Sequence, residues 1–285
     1  MKSQIFNGLL VLLFMLSAAS CKKDRADEFL EAVTIKNVSY GAHAKNTMDV
    51  YLPEGRTDTT KIIVMLHGGW WVGGDKNELD DQAVYFRDKG FAVVNMNYRL
   101  AGSSEHIHPA QQFDIAAAID YISSNALEWN VSPDKFALVG VSAGAHLALL
   151  YTYTNNVNNK VKTVVSISGP ANFTGEMDLS KPAVIQAAIA LELFLGESFQ
   201  ENPELYIQAS PIARVSSLSK PTLILHGLHD EIVPVKQAND LSEKLKLLNV
   251  KSQINTYPLG HEIFNQSNAG EIRDVVEFWL KENLK

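Results

Sequence analysis

The stretch Gly140-Val141-Ser142-Ala143-Gly144 spells G-x-S-x-G, once in the chain. A serine hydroxyl is a weak nucleophile until a neighbouring base, itself oriented by a third group, takes its proton. The context of the pentapeptide is what gives it weight. It follows an apolar run, Phe136-Ala137-Leu138-Val139, and precedes a helix-forming stretch, Ala145-His146-Leu147-Ala148-Leu149-Leu150. A strand turning directly into a helix forces Ser142 into a strained conformation with its hydroxyl exposed. Glycines two residues before and two after let the strand and helix backbones approach without Cβ clashes.

On such an elbow the partners follow in the order serine, acid, histidine. Eight histidines are present, and only His261 lies beyond the run Leu223-Ile224-Leu225 and its exit loop, within Pro258-Leu259-Gly260-His261-Glu262. The acid should leave a strand upstream. Asp230 stands in the loop after that run, in His226-Gly227-Leu228-His229-Asp230, with Glu231 as the neighbouring runner-up. Asp240 falls inside a helical pattern and is expected on a solvated face.

Charge stabilisation needs N–H groups aimed at one point. His67-Gly68-Gly69-Trp70 follows the run Ile62 to Leu66, and its glycines let backbone amides face a site unobstructed. With the N–H of Ala143 they would receive the oxyanion of a tetrahedral intermediate. Either Gly68 with Gly69 or Gly69 with Trp70 supplies the loop's share. His67 is expected to hold the loop, and Gly73-Gly74 to keep it flexible. Trp70 and Trp71 either wall the acyl site or simply pack.

These residues need a frame. Ala32 to Tyr40 and Thr47 to Leu52 alternate like half-exposed antiparallel strands, with Met48, Val50 and Leu52 on one face. Short apolar runs follow at 62–66, 91–94, 136–139, 164–167 and 223–225, with a weaker one at 253–257. Parallel strands covered on both faces have this pattern. Helical stretches lie between them at 109–127, 235–248 and 271–280, the first with Phe113, Ala116, Ala117, Ile119, Asp120 and Tyr121 in amphipathic order. Such alternation points to a single α/β layered domain over 32–285. The segment 169–220 breaks it: no strand is expected there, Pro182 to Leu195 forms an apolar helix, and prolines punctuate the rest. It is either a lid or substrate wall, or packing decoration.

With His67-Gly68-Gly69, Gly140-Val141-Ser142-Ala143-Gly144, Asp230 and His261 in hand, the chain resembles the α/β-hydrolase fold. It is most similar to the carboxylesterase branch that includes hormone-sensitive-lipase-like and aryl-formamidase-like esterases. Tyr98-Arg99-Leu100, Pro109-Ala110-Gln111 with Asp114, and Ser132-Pro133-Asp134 fall where that branch has such stretches. The loop departs from the branch in reading His-Gly-Gly-Trp. The resemblance runs from about Val33 to the C-terminus. It implies a mostly parallel sheet of about eight strands with helices on both faces. It also implies a serine hydrolase that cleaves carboxylic esters of small acyl groups through an acyl-enzyme, with a small-molecule or glycan-linked substrate. A formamidase or peptidase on the same triad is the alternative, and a non-catalytic binding module the remote one.

Composition narrows the partners. The chain has 285 residues, 46% hydrophobic and 20% charged, with a net charge of -7. An acidic chain without a basic run has no footprint for nucleic acid. The single cysteine, Cys21, excludes an intrachain disulfide and cysteine-based metal sites. His106-Ile107-His108 lacks an evident third ligand, and no G-x-G-x-x-G or P-loop occurs, so no metal or cofactor is expected. His43, His146 and Trp129 are expected as packing or surface residues. Lys2, the apolar run Leu9 to Leu16 and the small residues 17–20 form a secretory signal, too short to span a membrane. Followed by Cys21, this segment resembles a bacterial lipoprotein signal, although Ala18 stands where that motif prefers a larger aliphatic residue. The resemblance implies export to the cell envelope, a signal over 1–20, lipid on Cys21, a charged tether over 21–31, and no membrane contact beyond that anchor. Ordinary secretion with a leftover cysteine is the alternative.

Overall fold

The computed structural model describes residues 29–102, 105–175, 179–264 and 269–285. Strands β1 (Val33–Ser39), β2 (Thr47–Leu52), β3 (Ile62–Leu66), β4 (Ala92–Met96), β5 (Phe136–Val141), β6 (Val161–Ile167), β7 (Thr222–Gly227) and β8 (Ser252–Tyr257) form one sheet. Their order is β1-β2-β4-β3-β5-β6-β7-β8. β1 and β2 are antiparallel to each other and β2 to β4; every other pairing is parallel. The strand order reverses beside β3, with β4 on one side and β5 on the other. A crevice outside the carboxyl ends of strands at such a switch is where α/β sheets bind ligands.

The apolar runs form parallel strands because both faces are covered. Ile62, Val64, Leu66, Val94, Met96, Phe136 and Leu138 point into one core layer. Ile63, Met65, Val93, Ala137, Val139, Val165 and Leu223 point into the other. Helices α2 (Ala110–Trp129), α3 (Ala143–Thr154) and α7 (Val235–Leu247) contribute to the first layer, and α1 (Asp80–Asp88) and α8 (Ala269–Asn283) to the second.

Two expectations are corrected. β2 is not half-exposed: all but its first residue are buried. Its outward residue Asp49 is covered by lysines that come from far along the chain. Oδ2 accepts from Lys76 Nζ at 2.8 Å and Lys36 Nζ at 3.0 Å, while Oδ1 accepts from the Asn37 N–H at 2.7 Å. On α2 the core face is carried by Ile115, Ala118, Ile119, Ile122 and Ala126, so Phe113 is exposed (60%).

The segment 169–220 contains no strand among its described residues. It holds α4 (Pro182–Leu195), which starts on a proline and stops at Gly196 in the left-handed conformation, then α5 (Pro203–Ala209) and α6 (Pro211–Arg214). Among the described residues no helix is long and apolar enough to cross a membrane.

Candidate active site

Four strand ends converge on one place. β5 delivers Ser142, which sits between the strand and α3 at φ 52°, ψ −120°. A non-glycine residue in that region is strained and persists only where its surroundings enforce it. Both glycines of the pentapeptide enforce it by contact. A Cβ on Gly140 would lie 2.3 Å from Gly144 O, and one on Gly144 would lie 2.3 Å from Leu66 O and 2.4 Å from His67 O. Only hydrogen at those positions lets strand, helix and the preceding loop meet.

β7 delivers Asp230 and β8 delivers His261. His261 Nδ1 lies 2.8 Å from Asp230 Oδ2, and Nε2 lies 2.9 Å from Ser142 Oγ. A carboxylate can only accept, so Nδ1 carries the proton and Nε2 is left to accept from the serine hydroxyl. Asp230 Oδ1 accepts from the N–H groups of Ile232 (2.9 Å) and Val233 (2.8 Å). Burial alone would raise its carboxyl, but hydrogen bonds from His226, His261 and Val233 hold it far below the ordinary carboxylate range. The two loops are stitched together. His229 N–H donates to Leu259 O at 2.8 Å, and Ser168 Oγ–H donates to His261 O at 2.7 Å. Gly227 permits this, since a Cβ there would lie 2.0 Å from Gly260 O. The runner-up acid Glu231 turns away, pairing at 3.5 Å with Lys181.

β3 delivers the glycine loop. A Cβ on Gly68 would lie 3.4 Å from Ser142 Cβ, so the loop abuts the serine. Gly69 adopts φ +108°, Trp70 and Trp71 are also at positive φ, and Gly69 O accepts from the N–H groups of Val72 and Gly73 at 3.1 and 2.8 Å. Among the described residues no acceptor takes the N–H of Gly68, Gly69 or Trp70. Ala143, first residue of α3, adds a helix N-terminal N–H beside the hydroxyl. His67 does not touch the serine. Its Nδ1–H donates to Gly68 O at 2.6 Å, its ring stacks on Tyr98 at 4.4 Å, and Tyr98 Oη–H donates to His67 O at 2.9 Å. Burial lowers its proton affinity and keeps it neutral. Gly74 packs closely against the loop: a Cβ there would lie 2.4 Å from Gly68 O.

A cavity of about 590 Å³ opens on Ser142 and Ala143. Its lining combines apolar side chains, among them Trp71, Phe173, Val184 and Leu191, with polar ones from Asn172 and from Lys236 and Gln237 at the start of α7. Val184 and Leu191 belong to α4, so the inserted segment walls the cavity. Trp71 both packs and lines it: it stacks on Phe194 at 4.9 Å, and its Nε1–H donates to His146 Nδ1 at 3.1 Å. Trp70 is half-buried and also faces the cavity. Asp240 also lines the cavity and makes a solvent-exposed ion pair with Lys236. Trp129 is core and His43 half-buried; His106 meets the His43 ring at 4.6 Å, whereas His108 lies against Phe194. Cys21 and the segment before it lie outside the described residues.

Sequence reasoning missed two residues. Gln237 of α7 accepts the N–H groups of Ala171 and Asn172, both at 2.9 Å, and so fixes the polar lining. His226 touches Asp230, at 3.2 Å between Nε2 and Oδ2. Its spacing of four from Asp230 was visible, but nothing local marks a strand residue as reaching back into its own exit loop.

Comparison with known proteins agrees with this architecture. The sequence model of the BD-FAE family matches residues 48–245. The probable carboxylic ester hydrolase LipM of Mycobacterium tuberculosis (strain ATCC 25618 / H37Rv) is 26% identical over 224 residues, which is 74% of this chain and 51% of LipM. Esterase LipC of the same organism is 26% identical over 267 residues, 87% of this chain and 64% of LipC. The chain thus spans between half and two thirds of these relatives' length. Among solved structures, a truncated form of a carbohydrate esterase from gut microbiota superposes with a TM-score of 0.73 at 25% identity, covering 91% of this chain and 99% of that one.

Proposed function

The chain belongs to the BD-FAE family and has the α/β-hydrolase fold, and from that premise we propose that it is a serine hydrolase of carboxylic esters. One observation carries the proposal: an unbroken line from Ser142 Oγ through His261 to Asp230, at 2.9 and 2.8 Å, opening on a cavity. Ser142 Oγ attacks the ester carbonyl while His261 Nε2 takes its proton. The N–H of Ala143, with that of Gly69 and of either Gly68 or Trp70, receives the charge that moves onto the carbonyl oxygen. Collapse breaks the C–O bond, and His261 returns the proton to the leaving alcohol. Water then repeats the sequence on the acyl-serine. Asp230 stays ionised throughout, fixing the imidazole tautomer and stabilising its charged form.

The apolar lining suits a small acyl group, and the polar lining a small-molecule or glycan-linked alcohol. The solved carbohydrate esterase supports the glycan side of that reading. Lys2, the apolar run and Cys21 support export and a lipid anchor, which a Cys21→Ser variant released from membranes would bear out. The central test is fluorophosphonate labelling with intact mass, followed by p-nitrophenyl esters from C2 to C12. One adduct, on Ser142, with rates highest at C2 or C4, is expected. Ser142→Ala should lower kcat roughly 10⁴- to 10⁶-fold. A variant retaining a tenth of the activity removes Ser142 from the mechanism. Labelling without ester turnover, but with turnover of formamides or short peptides, moves the reaction to amides.

A further inference from the structure

His226 is wholly buried at the end of β7, and its Nε2 faces two oxygens: Val233 O at 2.8 Å and Asp230 Oδ2 at 3.2 Å. Both oxygens can only accept. Nε2 therefore carries a proton, and the neutral ring is the Nε2–H tautomer. Its other nitrogen, Nδ1, is buried with no hydrogen-bond partner among the described residues. On that side a carbon in place of Nδ1 would leave no buried acceptor unsatisfied. What the imidazole adds is its N–H edge, and that edge meets the acid of the line running to Ser142.

From this placement we propose that His226 is a positioning residue: it sets the orientation and charge of Asp230, and so acts on the reaction through His261. The inference rests on the reading of Ser142, His261 and Asp230 as the catalytic line. Two effects come from one N–H. By binding Val233 O, His226 closes the turn whose Ile232 and Val233 amides hold Asp230 Oδ1. By standing beside Oδ2, it shares with His261 Nδ1 the oxygen that orients the catalytic imidazole. The carboxylate is thus held at both oxygens, Oδ1 by the two amides and Oδ2 by His261 Nδ1, with the His226 N–H edge 3.2 Å from Oδ2. The rim charges Glu231 and Lys181 pair with each other, so the donors that set the Asp230 charge are His226, His261 and the two amides.

Removing the donor has a direction. Without it the negative charge on Oδ2 is less dispersed, and the carboxylate stabilises the imidazolium form of His261 more strongly. The imidazole then protonates at a higher pH, and the acid limb of the rate profile moves up. Orientation is lost at the same time, an effect confined to the transition state, so kcat falls while KM holds.

The experiment compares full-length wild type, His226→Phe and His226→Gln by thermal midpoint, fluorophosphonate labelling and pH profiles on a p-nitrophenyl ester. Phenylalanine keeps the ring and removes the donor; glutamine places an amide N–H near the same point. The phenylalanine variant should lose roughly 10- to 100-fold in kcat, by analogy with the range for groups that orient the ligands of metal sites. Its KM should stay within about twofold and its acid limb should rise by about half a pH unit. Glutamine should restore most of kcat and return the limb. If phenylalanine prevents folding, His226→Asn, too short to reach Oδ2, gives the same readout. A donor-free variant with wild-type kcat and an unmoved limb overturns the inference, as does a glutamine variant as impaired as phenylalanine. Wild type that labels at Ser142 beside such unaffected variants sinks the role of His226 alone. Wild type that does not label sinks the catalytic line and this inference with it.

Discussion

Asp230 shows how far single atoms decide the chemistry. Its Oδ1 accepts two backbone N–H groups, so an asparagine there has only one sensible orientation: amide oxygen toward the turn, amide nitrogen toward His261. That nitrogen is a donor facing Nδ1, which forces the imidazole proton onto Nε2 and removes the acceptor that Ser142 needs. Asp230→Asn should therefore fold and yet lose about 10⁴ in kcat, the loss such a tautomer change causes in triads of this type. Parallel measurement of kcat and thermal midpoint checks it; a near-wild-type rate would mean that the imidazole is oriented by something else. Gly144 makes a steric prediction of the opposite kind. Its added Cβ would meet backbone oxygens at 2.3 and 2.4 Å, which cannot swing aside, whereas one on Gly73 would find its nearest neighbour at 3.6 Å. Gly144→Ala should lose fluorophosphonate labelling and drop in thermal midpoint, while Gly73→Ala keeps its midpoint. Equal midpoints for the two would show that the elbow can relax.

The elements explain which parts of this site could be read in the sequence. β3, β5, β6 and β7 stand out as apolar runs because both faces are buried, and the residues after three of them carry the loop, the serine and the acid. α1 left no mark: of its nine residues only Ala83 and Phe86 are buried, too few for a clear period. β2 misled because Asp49 and Tyr51 look like a wet face. What covers them is an ion pair whose lysines lie 13 and 27 residues away, a contact no local pattern encodes. His226 was illegible for a related reason, since its meaning depends on a carbonyl in the turn that follows. The inserted segment was legible as a helix, and the structure adds which side it presents. Leu191 of α4 is 5% exposed and faces the cavity beside Trp71 and Phe173. Leu191→Ala removes that wall and should move the preferred acyl chain in the C2 to C12 series to longer lengths. The truncation should also lower stability, by about 2–5 kcal/mol for a buried leucine. An unchanged chain-length optimum would place the acyl group away from Leu191.

At the scale of the whole molecule, the walls that shape the cavity also set how the fold responds to acid. His146 is fully buried among Trp71, Phe173 and Phe194, with Nδ1 accepting from Trp71 Nε1 and Nε2–H donating to Ala209 O at 2.8 Å. A second proton would have to enter on Nδ1, against the indole N–H and away from water. Burial accordingly pushes its pKa down from 6.5 to about 3, and that of His108 to about 4. For a base with a depressed folded value, the unfolded chain takes up the proton first. Stability from these two rings is therefore complete above the unfolded value and drains away as pH falls through the window below it. Asp49 and Asp230 are held below 3.8 and Glu277 below 4.5, so what they contribute begins to go only below about pH 5. From pH 7 down to about 5 the loss thus belongs mainly to buried histidines rather than carboxylates. The thermal midpoint should fall across that range, and His146→Gln, which has no proton to gain, should start lower at pH 7 but fall less steeply. Curves for the two proteins that run parallel from pH 7 to about 5 would assign the acid sensitivity to other groups and free His146 from it.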